Sequence, residues 1–220
     1  MQISVVGHSH ASFPPERATL HMRLGVEGTD KQAALDHTTS LVQSFTNVVD
    51  QMRALTPSPI TWFAVAPIGT RSWRPWTGKG TILPLQHSAE CVVKLKFHDF
   101  AALTRFIDQW GGRSGVSMDA VEWTLTDAHQ KAEEDKVLAA AVGQAHARAT
   151  TMAQAAGERG VQFLELADKG LLDDTADFRE SRVWATSAMQ ADSTGETEGV
   201  TVAPENVELS ARIHARFTTG

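Results

Sequence analysis

Residues 121–157 read VEWTLTDAHQKAEEDKVLAAAVGQAHARATTMAQAAG, and within them the hydrophobic pattern changes from that of a strand to that of a helix. The strand candidate 116–126 is followed by Asp127, a residue type that caps helices. Apolar residues then recur every three or four positions up to Gly157, a typical helix end. The stripe comprises Leu138, Ala141, Val142, Ala145, Ala149, Met152, Ala153 and Ala156. So many alanines predict a long helix that lies close to the sheet on which it packs.

Two further segments alternate between apolar and polar residues, which is typical of strands in a sheet with one face in water. Every second residue is apolar in residues 17–27 and again in residues 207–217. The apolar positions are Ala18, Leu20, Met22, Leu24 and Val26 in the first segment and Val207, Leu209, Ala211, Ile213, Ala215 and Phe217 in the second. Two strands of this length predict an antiparallel or mixed sheet that is covered on one side.

The remaining elements are two more helices and several strands. Helical spacing runs over residues 30–55, with Thr29 or Asp30 as cap and Pro57 as stop, and again over residues 99–112, which end in a Gly-Gly pair. The other strand candidates are 60–68, 87–97, 116–126 and 161–167. Together these elements predict an α+β protein with mixed, largely antiparallel sheets and helices packed on one face.

The composition is that of an ordinary globular protein, with 42% hydrophobic and 21% charged residues among 220. The formal net charge is -6, whereas nucleic acids and anionic membranes are bound by basic faces. We therefore expect no nucleic-acid partner, and the lack of a long apolar segment predicts no membrane insertion. Because Met1 leads directly into the short apolar run 3–7, we expect a cytoplasmic protein as the sequence is written, or an envelope or secreted one if a signal peptide was trimmed.

No sequence motif for catalysis or cofactor binding is found. The single cysteine, Cys91, falls in an apolar alternation and is interpreted as a buried hydrophobe. The sequence contains no zinc-ligand spacing, no phosphate-binding glycine loop and no Gly-x-Ser-x-Gly nucleophile turn. We therefore predict no catalytic residue, no cofactor and no enzymatic activity.

Three histidines are candidate metal ligands. His8 and His10 are two residues apart, so they point to the same side of an extended segment, and His21 lies in the next strand. Imidazoles in such an arrangement suit a transition metal. The alternative is that they are solvated polar residues. No acidic residue or cysteine completes the set at a fixed spacing, and we predict no metal site.

The basic and aromatic segment 71–76 is the candidate contact surface. Residues 71–84 are rich in Trp, Pro and Gly and predict the tip of a long hairpin, while residues 188–202 predict a mobile loop. The tip carries Arg71, Trp73, Arg74 and Trp76. Such a tip stacks nucleobases, is buried in a contact between subunits, or folds back onto its own subdomain. The net negative charge of the chain favours the contact between subunits over the stacking of nucleobases.

Several stretches of the sequence resemble the bacterial SIMPL-domain family. The opening run 3–7, followed by Pro15-Glu16-Arg17-Ala18 and a long alternating strand, is similar to the start of that family. The block 121–127 that leads into the Ala-rich helix resembles the family's most recognisable motif, and the last strand, 207–217, resembles its terminal strand. The helix residues that match are Ala139, Ala140, Ala145, Arg148, Ala149, Ala153 and Gly157.

The resemblance implies one SIMPL-like domain over 1–220, built from two intertwined subdomains, and a homo-oligomer such as a ring. We place the subdomains at residues 1–84 plus 160–220 and at residues 85–159. Relatives include periplasmic or surface immunogenic proteins and one that is linked to oxidative-stress defence. The family offers no agreed catalytic residues, so none is carried over. This sequence departs from the family by its lack of tyrosine and of the secretion signal that is common there.

Two functions from different classes follow from these observations. The first is a non-enzymatic, self-associating scaffold or binding protein, with a possible link to stress, whose contact surface is the hairpin tip. The second is a small-molecule or metal-binding stress protein with weak activity in a cleft between the subdomains.

Overall fold

The computed structural model describes residues 1–76, 83–168 and 203–220, and all structural statements refer to these residues. They form eight strands and three helices, each labelled in chain order. The elements are β1 (Gln2–Phe13), β2 (Arg17–Gly28), α1 (Lys31–Ala54), β3 (Ile60–Val65), β4 (Gly69–Trp73), β5 (Gln86–Phe97), α2 (Phe100–Gly111), β6 (Val116–Thr124), α3 (Asp127–Ala155), β7 (Val161–Asp168) and β8 (Val207–Thr219). Two antiparallel sheets and three helices confirm the predicted α+β class.

The contacts divide the chain into two compact units. The first unit contains β1, α3, β7 and β8, and its sheet has the strand order β1-β8-β7. All twelve residues of β1 pair antiparallel with β8, from Gln2 opposite Thr218 to Phe13 opposite Val207. The first and last strands therefore pair with each other in one small sheet, in which β8 is central and β1 lies at an edge.

Helix α3 packs on one face of this first sheet. Its buried residues are Val137, Ala141, Ala145, Ala149 and Ala153, an i,i+4 row that confirms the predicted alanine contact. Three other residues of the predicted stripe, Leu138, Met152 and Ala156, are exposed. The buried row is narrower than the sequence indicates because a single layer of strands touches only one line along the helix.

The second unit contains β2 to β6 with α1 and α2. Its sheet has the order β3-β5-β2-β6, and β4 pairs with the other end of β5. If β3 and β4 are taken as one interrupted strand, this is the β-α-β-β-α-β arrangement called the split β-α-β fold. Aromatic rings fill the space between the sheet and its helices. Phe45 lies 5.8 Å from Trp110, and Phe97 lies 5.8 Å from Phe106 between ring centroids.

The ends of α1 and α2 lie where the sequence predicts them. The Asp30 carboxylate accepts hydrogen bonds from the backbone N–H groups of Gln32 and Ala33 at the start of α1, and Asp99 accepts one from Ala102 at the start of α2. Helix α2 ends at the Gly111-Gly112 pair, as its sequence predicts.

The division into units differs from the one inferred from the sequence. The sequence-based boundaries, residues 1–84 plus 160–220 and residues 85–159, place β1 and β2 together. In the structure β1 pairs with β8, whereas β2 pairs with β5 and β6. Two strands that are adjacent in sequence thus lie in different sheets. The predicted loop 188–202 lies outside the described residues.

Candidate self-association surface

The β4–β5 hairpin carries the predicted tip residues. Residues Gly69–Trp73 pair with Glu90–Gln86, so the hairpin register is fixed up to Trp73 opposite Gln86. Arg71 and Trp73 are two residues apart and share a face of the strand. The Arg71 guanidinium lies 5.7 Å from the centre of the Trp73 ring, a cation–π contact.

Beyond the end of β4 the chain exposes its most accessible large apolar side chain among the described residues. The Trp76 side chain is 90% exposed, and Leu85 on the returning segment is also exposed. Arg71 and Arg74 are exposed, and neither forms an ion pair with another described residue. We call Arg71, Trp73, Arg74 and Trp76 the tip surface. The rest of the predicted tip, residues 77–82, is outside the described part.

A second exposed apolar surface, which the sequence did not reveal, lies on β7. This strand is the edge of its sheet, and five consecutive residues, 162–166, are exposed. They include Phe163, which is 46% exposed, Leu164, and Leu166, which is 51% exposed. Helix α3 packs mainly on β1 and β8 and touches β7 much less. The helix therefore leaves the side chains of the edge strand uncovered.

A bulge sets which side chains of β7 lie on the helix side of the sheet. The pairing with β8 shifts between Phe163 and Glu165, so that Phe163 is opposite Phe217 and Leu166 is opposite Ala215. Phe217 and Ala215 are buried and pack in the core formed with α3. Phe163 and Leu166, three residues apart, consequently share the helix side, which a regular strand would not allow.

One side of α3 reaches Phe163 through His146. Leu138, Val142 and His146 each follow a residue of the buried row, so they share one side of the helix. The His146 ring lies 5.7 Å from the Phe163 ring and 5.9 Å from the Phe217 ring. We call Leu138, His146, Phe163 and Leu166 the β7 patch.

Carboxylates border the β7 patch. Glu134 and Asp135 precede Leu138 by four and three residues on α3, which places them on the same side of the helix, and both are exposed. Glu165 of β7 forms a 3.0 Å ion pair with Arg216 on the opposite face of the sheet. Glu134 accepts a hydrogen bond from Gln130. Lys131, seven residues before Leu138, lies on the same side of the helix. The two carboxylates outnumber the one ammonium group, so this side of the helix carries a net negative charge.

The histidines do not form a site with other potential ligands. His8 and His10 lie on β1 opposite Arg212 and Ser210, and the His21 imidazole Nε2 lies 3.2 Å from the Glu122 carboxylate on β6. No group of three or more His, Cys, Asp or Glu side chains suited to a metal ion is present among the described residues.

Cys91 is buried in the second unit, as its apolar surroundings predict. Burial raises the pKa of the Cys91 thiol above its ordinary value. Its Sγ lies 3.0 Å from the Ala66 carbonyl oxygen, to which the thiol donates. A protonated, enclosed thiol is a poor nucleophile.

An open groove lies where α1 meets β3. It has a volume of about 360 Å³ and is lined by Arg53, Ser58, Ile60, Thr61, Trp62 and Phe63. The Arg53 guanidinium is 5.5 Å from the Phe63 ring centre and 3.8 Å from the Asp50 carboxylate. Arg53, the one cation among these lining residues, thus contacts both an aromatic ring and a carboxylate.

In the part of the chain that the structure describes, no helix is both long enough and apolar enough to cross a membrane.

Together, the fold and these surfaces define a class: an α+β protein of two antiparallel-sheet units, with the chain termini paired in one sheet and two exposed apolar surfaces. The protein-family model SIMPL, described as a protein of unknown function (DUF541), matches residues 3–217. The chain therefore belongs to the SIMPL family, which confirms the resemblance seen in its sequence. No curated protein matches the chain.

Proposed function

We propose that this SIMPL-family chain is a non-enzymatic, self-associating scaffold or binding protein, and that its tip surface is a contact between copies. The observation that carries the proposal is Trp76, which is 90% exposed next to two arginines without ion-pair partners among the described residues. Tryptophan and arginine are the residue types that contribute most to protein–protein contacts.

The energetics favour burial of the tip by another molecule. A buried tryptophan removes roughly 150–250 Å² from water, which at about 25 cal/mol per Å² amounts to about 4–6 kcal/mol before the costs of association. Folding back onto the chain itself would gain the same energy, and the 90% exposure of Trp76 supports a contact with another molecule instead. The net charge of -6 disfavours a nucleic acid as the covering partner.

The test is the molar mass in solution as a function of protein concentration, measured by light scattering. We expect the mass of the wild-type protein to rise with concentration, and Trp73→Ala/Trp76→Ala to remain at the monomer mass. Trp62→Ala is the matched control, because Trp62 is also an exposed tryptophan of the same unit but lies on β3. A wild-type protein that stays monomeric at about 100 µM, well above the dissociation constant of a micromolar contact, contradicts self-association.

A link to stress defence is part of the proposal and rests on the family resemblance alone. If the link is correct, a host that lacks the chain is more sensitive to peroxide. Restoring the Trp73→Ala/Trp76→Ala variant at wild-type abundance would show whether that sensitivity depends on self-association.

A further inference from the structure

We propose that the tip surface of one copy binds the β7 patch of a second copy. This inference rests on the proposed function and deepens it by naming the surface that receives the tip. The two surfaces belong to different units of the chain, so each copy carries one of each.

The first argument is the match of apolar groups. The tip offers the rings of Trp73 and Trp76, and the patch offers Phe163 and Leu166 with the His146 ring beside them. Aromatic rings pack well edge-to-face or offset against other rings. Contiguous apolar side chains are uncommon on the surface of a monomer unless they mark an interaction site.

The second argument is the match of charges. Arg71 and Arg74 lie beside the tryptophans, while Glu134 and Asp135 lie within one helical turn of Leu138 in the patch. An arginine forms a forked pair with a carboxylate. This pairing favours the unlike contact over the isologous alternatives, since two tips would bring arginines together and two patches would bring carboxylates together.

The size of the surfaces sets the expected strength. Two tryptophan side chains bury roughly 300–500 Å², which is less than the roughly 800 Å² per partner of a standard stable interface. We therefore expect micromolar, reversible binding. Because the surfaces differ, repetition of the contact gives a ring or an open chain of copies instead of a closed dimer.

The test uses two variants, each of which lacks one half of the contact. Trp76→Ala removes the tip, and Leu166→Arg places a cation in the patch opposite the arginines of the tip. At a concentration near the wild-type dissociation constant, each variant alone is expected to be mostly monomeric, because its own dissociation constant is raised at least about tenfold. An equimolar mixture regains one intact contact, between the tip of the Leu166→Arg chain and the patch of the Trp76→Ala chain, so it forms dimers and nothing larger.

The control is Met152→Arg. Met152 is 48% exposed and Leu166 is 51% exposed, but Met152 precedes a residue of the buried row of α3 and so lies on the side away from the patch. Met152→Arg is expected to assemble like the wild-type protein. Circular dichroism melts of all variants establish that each is folded.

The outcomes separate the two proposals. A monomeric wild-type protein overturns both. If the wild-type protein assembles and Trp76→Ala does not, but Leu166→Arg assembles normally, the tip has another partner surface and only this inference is overturned. The same conclusion follows if both variants are monomeric and their mixture forms no dimer, because the contact then joins like surfaces.

Discussion

Gly7 shows how one residue sets the distance between a strand and a helix in this chain. A Cβ atom built on Gly7 would collide with the Ala141 carbonyl oxygen and would lie 2.8 Å from the Ala145 Cβ. Only glycine lets β1 approach α3 this closely. The small residue of the strand and the small residues of the helix are therefore parts of the same contact.

Cys91 provides a prediction at the residue scale. Because burial raises the pKa of its thiol, the folded state disfavours the thiolate, and this contribution to stability is present below the ordinary value of 9.0 and is lost as the pH rises beyond it. We expect iodoacetamide at pH 8.5, where a thiol in the unfolded chain is partly ionised, to label Cys91 at least about 100-fold more slowly in the folded chain than in urea. Ser44→Cys, exposed on α1, is the accessible control. Equal labelling rates at the two cysteines of the folded protein would contradict burial.

Helices α2 and α3 bury very different amounts of apolar side chain for their length. Helix α3 has 29 residues, but it buries a single row of small side chains against β1 and β8. Helix α2 has 12 residues and buries two large aromatic rings, Phe106 and Trp110. The long helix α3 is therefore stabilised by its close approach to the strands, whereas the short helix α2 is stabilised by the volume of its buried apolar side chains.

The close approach of α3 can be tested with one added side chain. Ala145→Leu places three more carbon atoms where Ala145 already contacts Gly7, so we expect a loss of about 1–3 kcal/mol in the free energy of unfolding. Ala147→Leu, at an exposed position of the same helix, is expected to change it by less than about 0.5 kcal/mol. Chemical denaturation measures both. Equal stability of the two variants would mean that α3 is rotated relative to the structure.

At the scale of the whole molecule, the described chain passes between the units at Phe13–Pro14, at Thr126–Asp127 and at Asn206–Val207. Hydrogen bonds within the second unit connect the segments next to the first two of these crossings. The Glu16 carboxylate accepts hydrogen bonds from the Thr126 backbone N–H and hydroxyl at 2.8 and 2.6 Å, and the Glu16 N–H donates to the Thr124 carbonyl at 2.9 Å. One residue thus joins the start of β2 to the segment that enters α3.

Removing the hydrogen bonds of the Glu16 carboxylate should destabilise the chain. We expect Glu16→Ala to lower the free energy of unfolding by about 1–3 kcal/mol, because two hydrogen bonds to a charged acceptor are lost. Glu27→Ala, an exposed glutamate at the other end of β2, serves as the control and is expected to be nearly neutral. Thermal melts that do not distinguish the two variants would show that the Glu16 contacts contribute nothing.

On the proposed tip-to-patch contact, each chain would bind two neighbours, because it carries one tip surface and one β7 patch. A closed ring would then need two contacts to be broken before a copy leaves, so closure would stabilise the assembly without any larger surface.

The sequence by itself determined most of the element types, the cap of α1, the Gly-Gly end of α2 and the alanine contact of α3. These features depend on neighbours within a few positions, because a period of 2.0 or 3.6 residues is a property of the local chain. Asp30 and Asp99 cap the helices that their positions predict, and Ala141, Ala145 and Ala149 face the sheet as their spacing requires.

Only the tertiary structure decided the pairing of β1 with β8, the boundaries of the two units and the β7 patch. An alternating strand shows which of its faces is buried but does not identify the strand beside it, since any other alternating strand satisfies the same pattern. The exposure of Phe163 and Leu166 needs both the bulge in β7 and a helix that covers the other two strands. Both conditions depend on residues that lie far apart along the chain, so a local sequence pattern does not predict this exposure.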